Sequence, residues 1–242
     1  SRYKLKCLKK TGDWACNFAW LRTDKTIVNK HNRPKQKVTL LSLHLRVGGI
    51  EKAICSLANM LVDDYDVEIV NVYKLCKPSF YIDERVKITY LSTDLKPNKE
   101  NLKYAVKDKN FIKIVIEGFK ALNVVLRKKK LIKQCAKDND GDIIISTTLA
   151  FNKSFSKYQK NKLLIAWEHC HPDRSLNYAK KVYKSVKKFD LFIPASKSIY
   201  NFYKEYLTGP QCIYLPLCID ELPDERALLN TNQVTVIGRL SS

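Results

Sequence analysis

Glycine is scarce in this chain, with seven residues in 242. Few positions therefore allow the close backbone approach that phosphate-binding turns need. No third glycine completes a dinucleotide fingerprint, and no Gly-Lys-Ser/Thr triplet marks a phosphate loop. No apolar run approaches the roughly 18 residues of a membrane-crossing helix. The first thirty residues are basic but lack the apolar core, about 7–15 residues long, of a secretory signal. Eight cysteines contain no C-x-x-C pair, so they read as reduced thiols of a cytosolic protein. His169-Cys170-His171 has the residue types of a metal site. Adjacent ligands are geometrically awkward, and no second pair stands at zinc-finger spacing, so no metal is expected there. Acids are also in deficit: 24 Asp and Glu face 44 Lys and Arg, a net charge of +20. That balance excludes an acidic solvating protein and points to an anionic partner: nucleic acid, a membrane surface or phosphorylated substrates.

What is present is enough apolar residue, 45% of the chain, to bury a real core. The length suits one large α/β domain or two small ones. Residues 1–36 carry ten Lys and Arg against Asp13 and Asp24, and read as a basic N-terminal extension. Trp14, Phe18 and Leu21 allow one short amphipathic helix within it. From Lys37 onward, apolar runs predict strands at 38–43, 67–72, 86–90, 142–146, 163–167, 191–194 and 213–215. Helical periodicity fills 50–61, 111–137, 177–188 and 198–206. Continuous β-branched strands alternating with helices predict a doubly wound, mostly parallel Rossmann-like sheet with helices on both faces, over residues 37–226. A further strand at Val234–Gly238 suggests that residues 227–242 open a second, truncated domain.

Three clusters could carry chemistry. Gly48-Gly49 stands between the first strand and the first long helix, followed by Ile50-Glu51-Lys52. There the backbone could approach an anion at a helix N-terminus, or simply make a tight turn. Glu168-His169-Cys170-His171-Pro172-Asp173-Arg174 follows a predicted strand, a place for substrate contact or proton transfer. The third cluster is basic and greasy. Residues 111–137 hold eight Lys and Arg and one acid, Glu117, and their first sixteen residues are apolar nearly all round. Five more lysines follow in 178–188. Such a helix should not face water on any broad side.

The order of these motifs resembles the N-terminal, acceptor-side domain of a GT-B glycosyltransferase of family four. The resemblance is carried by Gly48-Gly49-Ile50-Glu51-Lys52-Ala53, Glu168-His169, and Asp190-Leu191-Phe192-Ile193-Pro194-Ala195-Ser196. Tyr214-Leu215-Pro216-Leu217-Cys218-Ile219-Asp220 stands for the family's crossover, with Leu217-Cys218 in place of Asn-Gly, and Val236-Ile237-Gly238-Arg239-Leu240 for the strand opening its second domain. The resemblance implies sugar transfer from a nucleotide-diphosphate sugar to a saccharide or lipid-linked acceptor, with retention and without an essential metal or other cofactor. It implies Glu168 and His169 as catalytic residues. Gly48, Gly49, Glu51, His171 and Arg174 would contact acceptor, and Gly238 and Arg239 the donor phosphate. It also implies that the family's remaining donor-side motifs lie beyond residue 242, so that this chain alone would be inactive.

The same resemblance makes the protein cytoplasmic, in synthesis of cell-surface polysaccharide or glycolipid. Peripheral binding to the inner face of the cytoplasmic membrane is expected from residues 111–137, whose apolar part is too short to span a bilayer. Two other classes stay open. The charge would suit a nucleic-acid-binding module, although no recognised DNA- or RNA-binding signature occurs. A non-catalytic Rossmann-like interaction domain would leave the Glu168-His169 loop without a substrate.

Overall fold

The computed structural model describes residues 34–171 and 176–217. Most of the basic extension, Arg174, Gly238, Arg239 and the expected start of a second domain lie outside the described residues. The described chain alternates strand and helix. Its elements are β1 (Lys37–Ser42), α1 (Gly49–Leu61), β2 (Asp66–Tyr73), β3 (Lys87–Ser92), α2 (Lys99–Lys107) and α3 (Phe111–Asp138). They continue with β4 (Ile143–Ser146), α4 (Leu149–Tyr158), β5 (Leu163–Glu168), α5 (Leu176–Val186), β6 (Leu191–Pro194), α6 (Lys197–Tyr203) and β7 (Gln211–Cys212). The strands form one sheet in the order β3-β2-β1-β4-β5-β6-β7. Every neighbouring pair is parallel. This is the doubly wound Rossmann-like arrangement that the alternating pattern predicts.

The β-branched runs are continuous because both faces of the sheet are covered. Val38 and Leu40 of β1, Val67 and Ile69 of β2 and Ile165 and Trp167 of β5 pack with Ile54, Leu57 and Leu61 of α1. Leu41, Ile144 and Phe192 point the other way, into a second core built with α3, α4, α5 and α6. Phe151 and Phe155 meet edge-on there, ring centroids 5.9 Å apart.

The amino ends of the strands are tied by charge. Glu68 on β2 lies 3.1 Å from both Lys37 Nζ on β1 and Lys87 Nζ on β3, and accepts a 2.6 Å hydrogen bond from Thr89 Oγ1. Burial alone would raise the Glu68 pKa, but the hydrogen bonds from Thr89, Lys37 and Lys87 outweigh it and hold the carboxyl below its ordinary range. Gln159, just past α4, donates from Nε2 to the carbonyls of Ala136 (3.0 Å) and Asn139 (2.8 Å), satisfying the end of α3.

Strand β7 departs from expectation: it pairs over Gln211–Cys212 rather than 213–215. The short partner β6 ends at Pro194, so the ladder closes with Ile213 N donating to Phe192 O. The long helix also departs, because only Ile132 and Ala136 of α3 are buried. Its apolar first half is largely exposed, against the expectation that so greasy a helix would be covered.

Candidate functional site at the carboxyl edge of the sheet

In a parallel sheet of this order the chain turns outward in opposite directions from β1 and β4, leaving a crevice above their carboxyl ends. The loops after β1, β4, β5 and β6 open onto that edge.

After β1 the chain runs through His44 to Gly48, the N-cap of α1. Ser42 Oγ donates to His44 O at 2.9 Å, which holds the turn. Gly48 is extended, with φ 177°, a backbone any residue adopts, so its lack of a side chain serves space and not conformation. A Cβ there would collide with the Glu51 carboxylate. Glu51 is the third helical residue, and its carboxylate lies beside Gly48 at the helix start. His44 Nδ1 stands 3.3 Å from Glu51 Oε1. Nothing lies within 4 Å of where a Cβ on Gly49 would stand, so the backbone is open at that point. A carboxylate at a helix N-terminus uses the same positive field that a phosphate would use. As arranged, this loop therefore suits a hydroxyl-bearing ligand better than an anion.

The end of β4 is polar and closed. Thr147 Oγ1 donates to Leu41 O at 2.9 Å, locking the β4 and β1 ends together. Thr148 caps α4 by accepting from Ala150 N. Ser146 Oγ donates to Asn152 Oδ1 at 2.6 Å, and Asn152 Nδ2 donates to Ser185 Oγ at 3.1 Å. Beside them is a cavity of about 10 Å³, lined also by Trp167 and Glu168. It has room for one water.

At the end of β5 the strand's two-residue period turns Glu168 toward the second core. Its carboxylate accepts from Cys170 N at 2.8 Å and from the Tyr178 hydroxyl at 3.1 and 3.2 Å. Burial pushes the Glu168 pKa up, while those hydrogen bonds pull the other way. Cys170 is also raised, first by burial and then by the Glu168 charge, so it is a thiol and not a thiolate. Tyr178 and Tyr203 are raised by burial and by the same carboxylate. His169 packs against Trp167 with the rings tilted by 53° and their centroids 4.5 Å apart, and burial lowers its pKa to about 4. It is a neutral imidazole at pH 7. Its Nε2 has no hydrogen-bond partner among the described residues. His171 lies 6.4 Å from the Phe202 ring.

Glu168, His169 and His171 thus share the loop at the end of β5, with Glu168 and His169 on opposite faces of the strand, while Gly48, Gly49 and Glu51 lie together at the end of β1. One strand, β4, separates the two groups, which sets them roughly 10 Å apart, two interstrand spacings. Sequence reading passed over His44, Tyr178 and Tyr203. Of these, His44 had a legible signal, being one of four histidines and standing between a strand and the glycine pair. The tyrosines had none, because α5 and α6 bring them to Glu168 only in the folded chain. Among the described residues no group of three or more His, Cys, Asp or Glu side chains gathers as a metal site would.

No protein-family model matches the chain, and no curated protein matches it. Solved structures align with it at low similarity, two of them as follows. TcCGT1 in complex with UDP aligns with a TM-score of 0.46 and 12% identity, over 82% of this chain and 54% of that one. An α-glucosyltransferase in complex with UDP-glucose and DNA containing an abasic site aligns with a TM-score of 0.39 and 13% identity, over 77% of this chain and 43% of that one. The chain spans about half the length of these proteins.

Proposed function

We propose that the chain is the acceptor-side half of a retaining glycosyltransferase that uses a nucleotide-diphosphate sugar. The observation that carries this reading is the pairing, across the end of β4, of an open glycine backbone with a neutral histidine, in the order the sequence motifs suggest. In this reading Gly49 and Glu51 receive the acceptor, Glu51 by accepting a hydrogen bond from one of its hydroxyls. His169 meets the transferred sugar as a neutral hydrogen-bonding group, and His171 and Arg174 are assigned to acceptor contact from the sequence motif alone. Glu168 is the positioning residue: by accepting from Cys170 N it fixes the turn on which His169 stands. Arg239, with Gly238, neutralises the departing diphosphate, where a guanidinium is most effective as charge develops. No step of this reading needs a metal. The acceptor is a saccharide or lipid-linked molecule of cell-surface polysaccharide or glycolipid synthesis. A lipid-linked acceptor would hold a cytoplasmic enzyme peripherally at the inner membrane face.

The test is transfer by the complete enzyme from a panel of sugar nucleotides, read as nucleoside diphosphate release that depends on acceptor. His169→Ala should lower kcat/KM by about a hundredfold or more with an unchanged circular dichroism spectrum. Glu168→Gln, which keeps the shape, should lower it less. No turnover with any donor, or turnover indifferent to both changes, would overturn the proposal.

A further inference from the structure

Helix α3 is longer than the sheet it covers. Its 28 residues extend about 42 Å at 1.5 Å per residue, against about 20 Å for a six-residue strand. It is buried only at Ile132 and Ala136, near its carboxyl end, and that end leads directly into the start of β4. The first half of α3 therefore reaches past the opposite edge of the sheet, the carboxyl edge where the candidate site lies. On this overhang Phe111 is 78%, Phe119 71% and Leu126 56% exposed, with Ile112, Val115 and Leu122 beside them. At 100° per residue, Phe111, Val115, Phe119, Leu122 and Leu126 fall within an 80° sector of the helix surface. Monomers rarely leave an apolar stripe of this kind in water without a use for it.

The basic residues sort by the same geometry. Lys120 is already paired with Glu117, and Arg127 with Asp94, each at 2.8 Å. Lys129 and Lys133 continue the apolar sector toward the carboxyl end, with Lys130 at its margin, and all three lack a carboxylate partner among the described residues. One exposed face of one helix is thus apolar for about four turns and cationic for the next two.

We propose that this face of α3 docks in the plane of an anionic lipid bilayer. Phe111, Phe119 and Leu126 enter the acyl boundary, and Lys129, Lys130 and Lys133 meet the headgroups. A protein partner fits less well, because lysine is depleted from the buried cores of protein interfaces. An anionic bilayer rewards both halves of the stripe at once. The inference does not depend on sugar transfer, since it concerns a surface and is read by binding alone.

The experiment is flotation of the 242-residue chain with vesicles of phosphatidylcholine, alone or with 30% phosphatidylglycerol (about a third, enough to give a strong negative surface potential). We expect partition into the anionic vesicles at low salt, little into the neutral ones, and release as salt rises. Lys129→Gln, Lys130→Gln and Lys133→Gln together should weaken partition by about a hundredfold, near fivefold for each lysine. Phe111→Ser with Phe119→Ser should weaken it at least tenfold without changing the charge. These side chains are exposed, so both variants should keep the wild-type melting temperature. As a check free of deletions, Phe119→Trp should add a blue-shifted fluorescence component only with anionic vesicles. Anionic binding that ignores the phenylalanine changes would overturn the proposal in favour of a simple polycation, as would equally tight binding to a nucleic acid. A concentration-dependent dimer that those changes dissolve, with vesicle binding intact, would instead assign the face to a second copy of this chain.

Discussion

At the scale of single residues, the site is governed by what burial does to titration. His169 has its pKa lowered by burial to about 4, from 6.5. A histidine depressed in the folded state favours folding fully above its unfolded pKa. That contribution is lost as pH falls from 6.5 toward 4, on the order of 3 kcal/mol in all. The raised Glu168 works in the opposite sense, since protonating it relieves a buried charge and favours folding at lower pH. We therefore expect urea midpoints to fall between pH 6.5 and 4. In His169→Phe, which keeps a ring against Trp167, most of that fall should vanish. An unchanged pH profile would mean that His169 is solvated. The glycine pair yields a second prediction. Because Gly49 has open space around it and needs no left-handed backbone, Gly49→Val should change stability by no more than about 1 kcal/mol. If the chain is half of a glycosyltransferase, as proposed, the same change should cut transfer by the complete enzyme, measured at saturating donor. Unchanged transfer would reduce Gly49 to part of a turn.

Elements were legible where periodicity was strong. Strand β6 falls on the expected residues 191–194, and α1 and α3 lie within a residue of expectation at each end. Two helices were not anticipated. In α4 the signals were short: a Thr148 cap and Phe151 and Phe155 one turn apart, interrupted by Asn152, Ser154 and Ser156. In α2 only Ala105 among its hydrophobic residues is buried, so no apolar stripe announced it. Both form because neighbours complete them, α2 along α3 and α4 between α3 and α5. The seam at Gln159 shows how. Its buried amide donates to two carbonyls at the end of α3, so Gln159→Ala leaves them unpaired. We expect a loss of about 1–3 kcal/mol, read as a lower midpoint in chemical denaturation. A loss below about 0.5 kcal/mol would show that water replaces the amide.

Across the whole molecule, the two ends of the sheet divide the work. The amino edge carries the Glu68 cluster that ties β1, β2 and β3, while the carboxyl edge carries the open loops. The lowered Glu68 carboxyl stabilises the fold above its unfolded pKa near 4.5 and loses that effect as pH falls through its folded value. Glu68→Gln should therefore cost about 1–2 kcal/mol at pH 7 and progressively less as pH falls below 4.5, measured as the wild-type minus variant difference in unfolding free energy. A difference independent of pH would assign the effect to packing. The architecture itself was determined by local sequence: strands buried on both faces must be continuously apolar, and helices between parallel strands must carry a periodic stripe, so both are written in the order of residue types. The partners that strand-end side chains meet were not. Only tertiary structure brought Tyr178 and Tyr203 to Glu168. Only tertiary structure left the apolar face of α3 uncovered, because each outcome depends on which distant segment packs there, and contact between distant segments leaves no period in the chain.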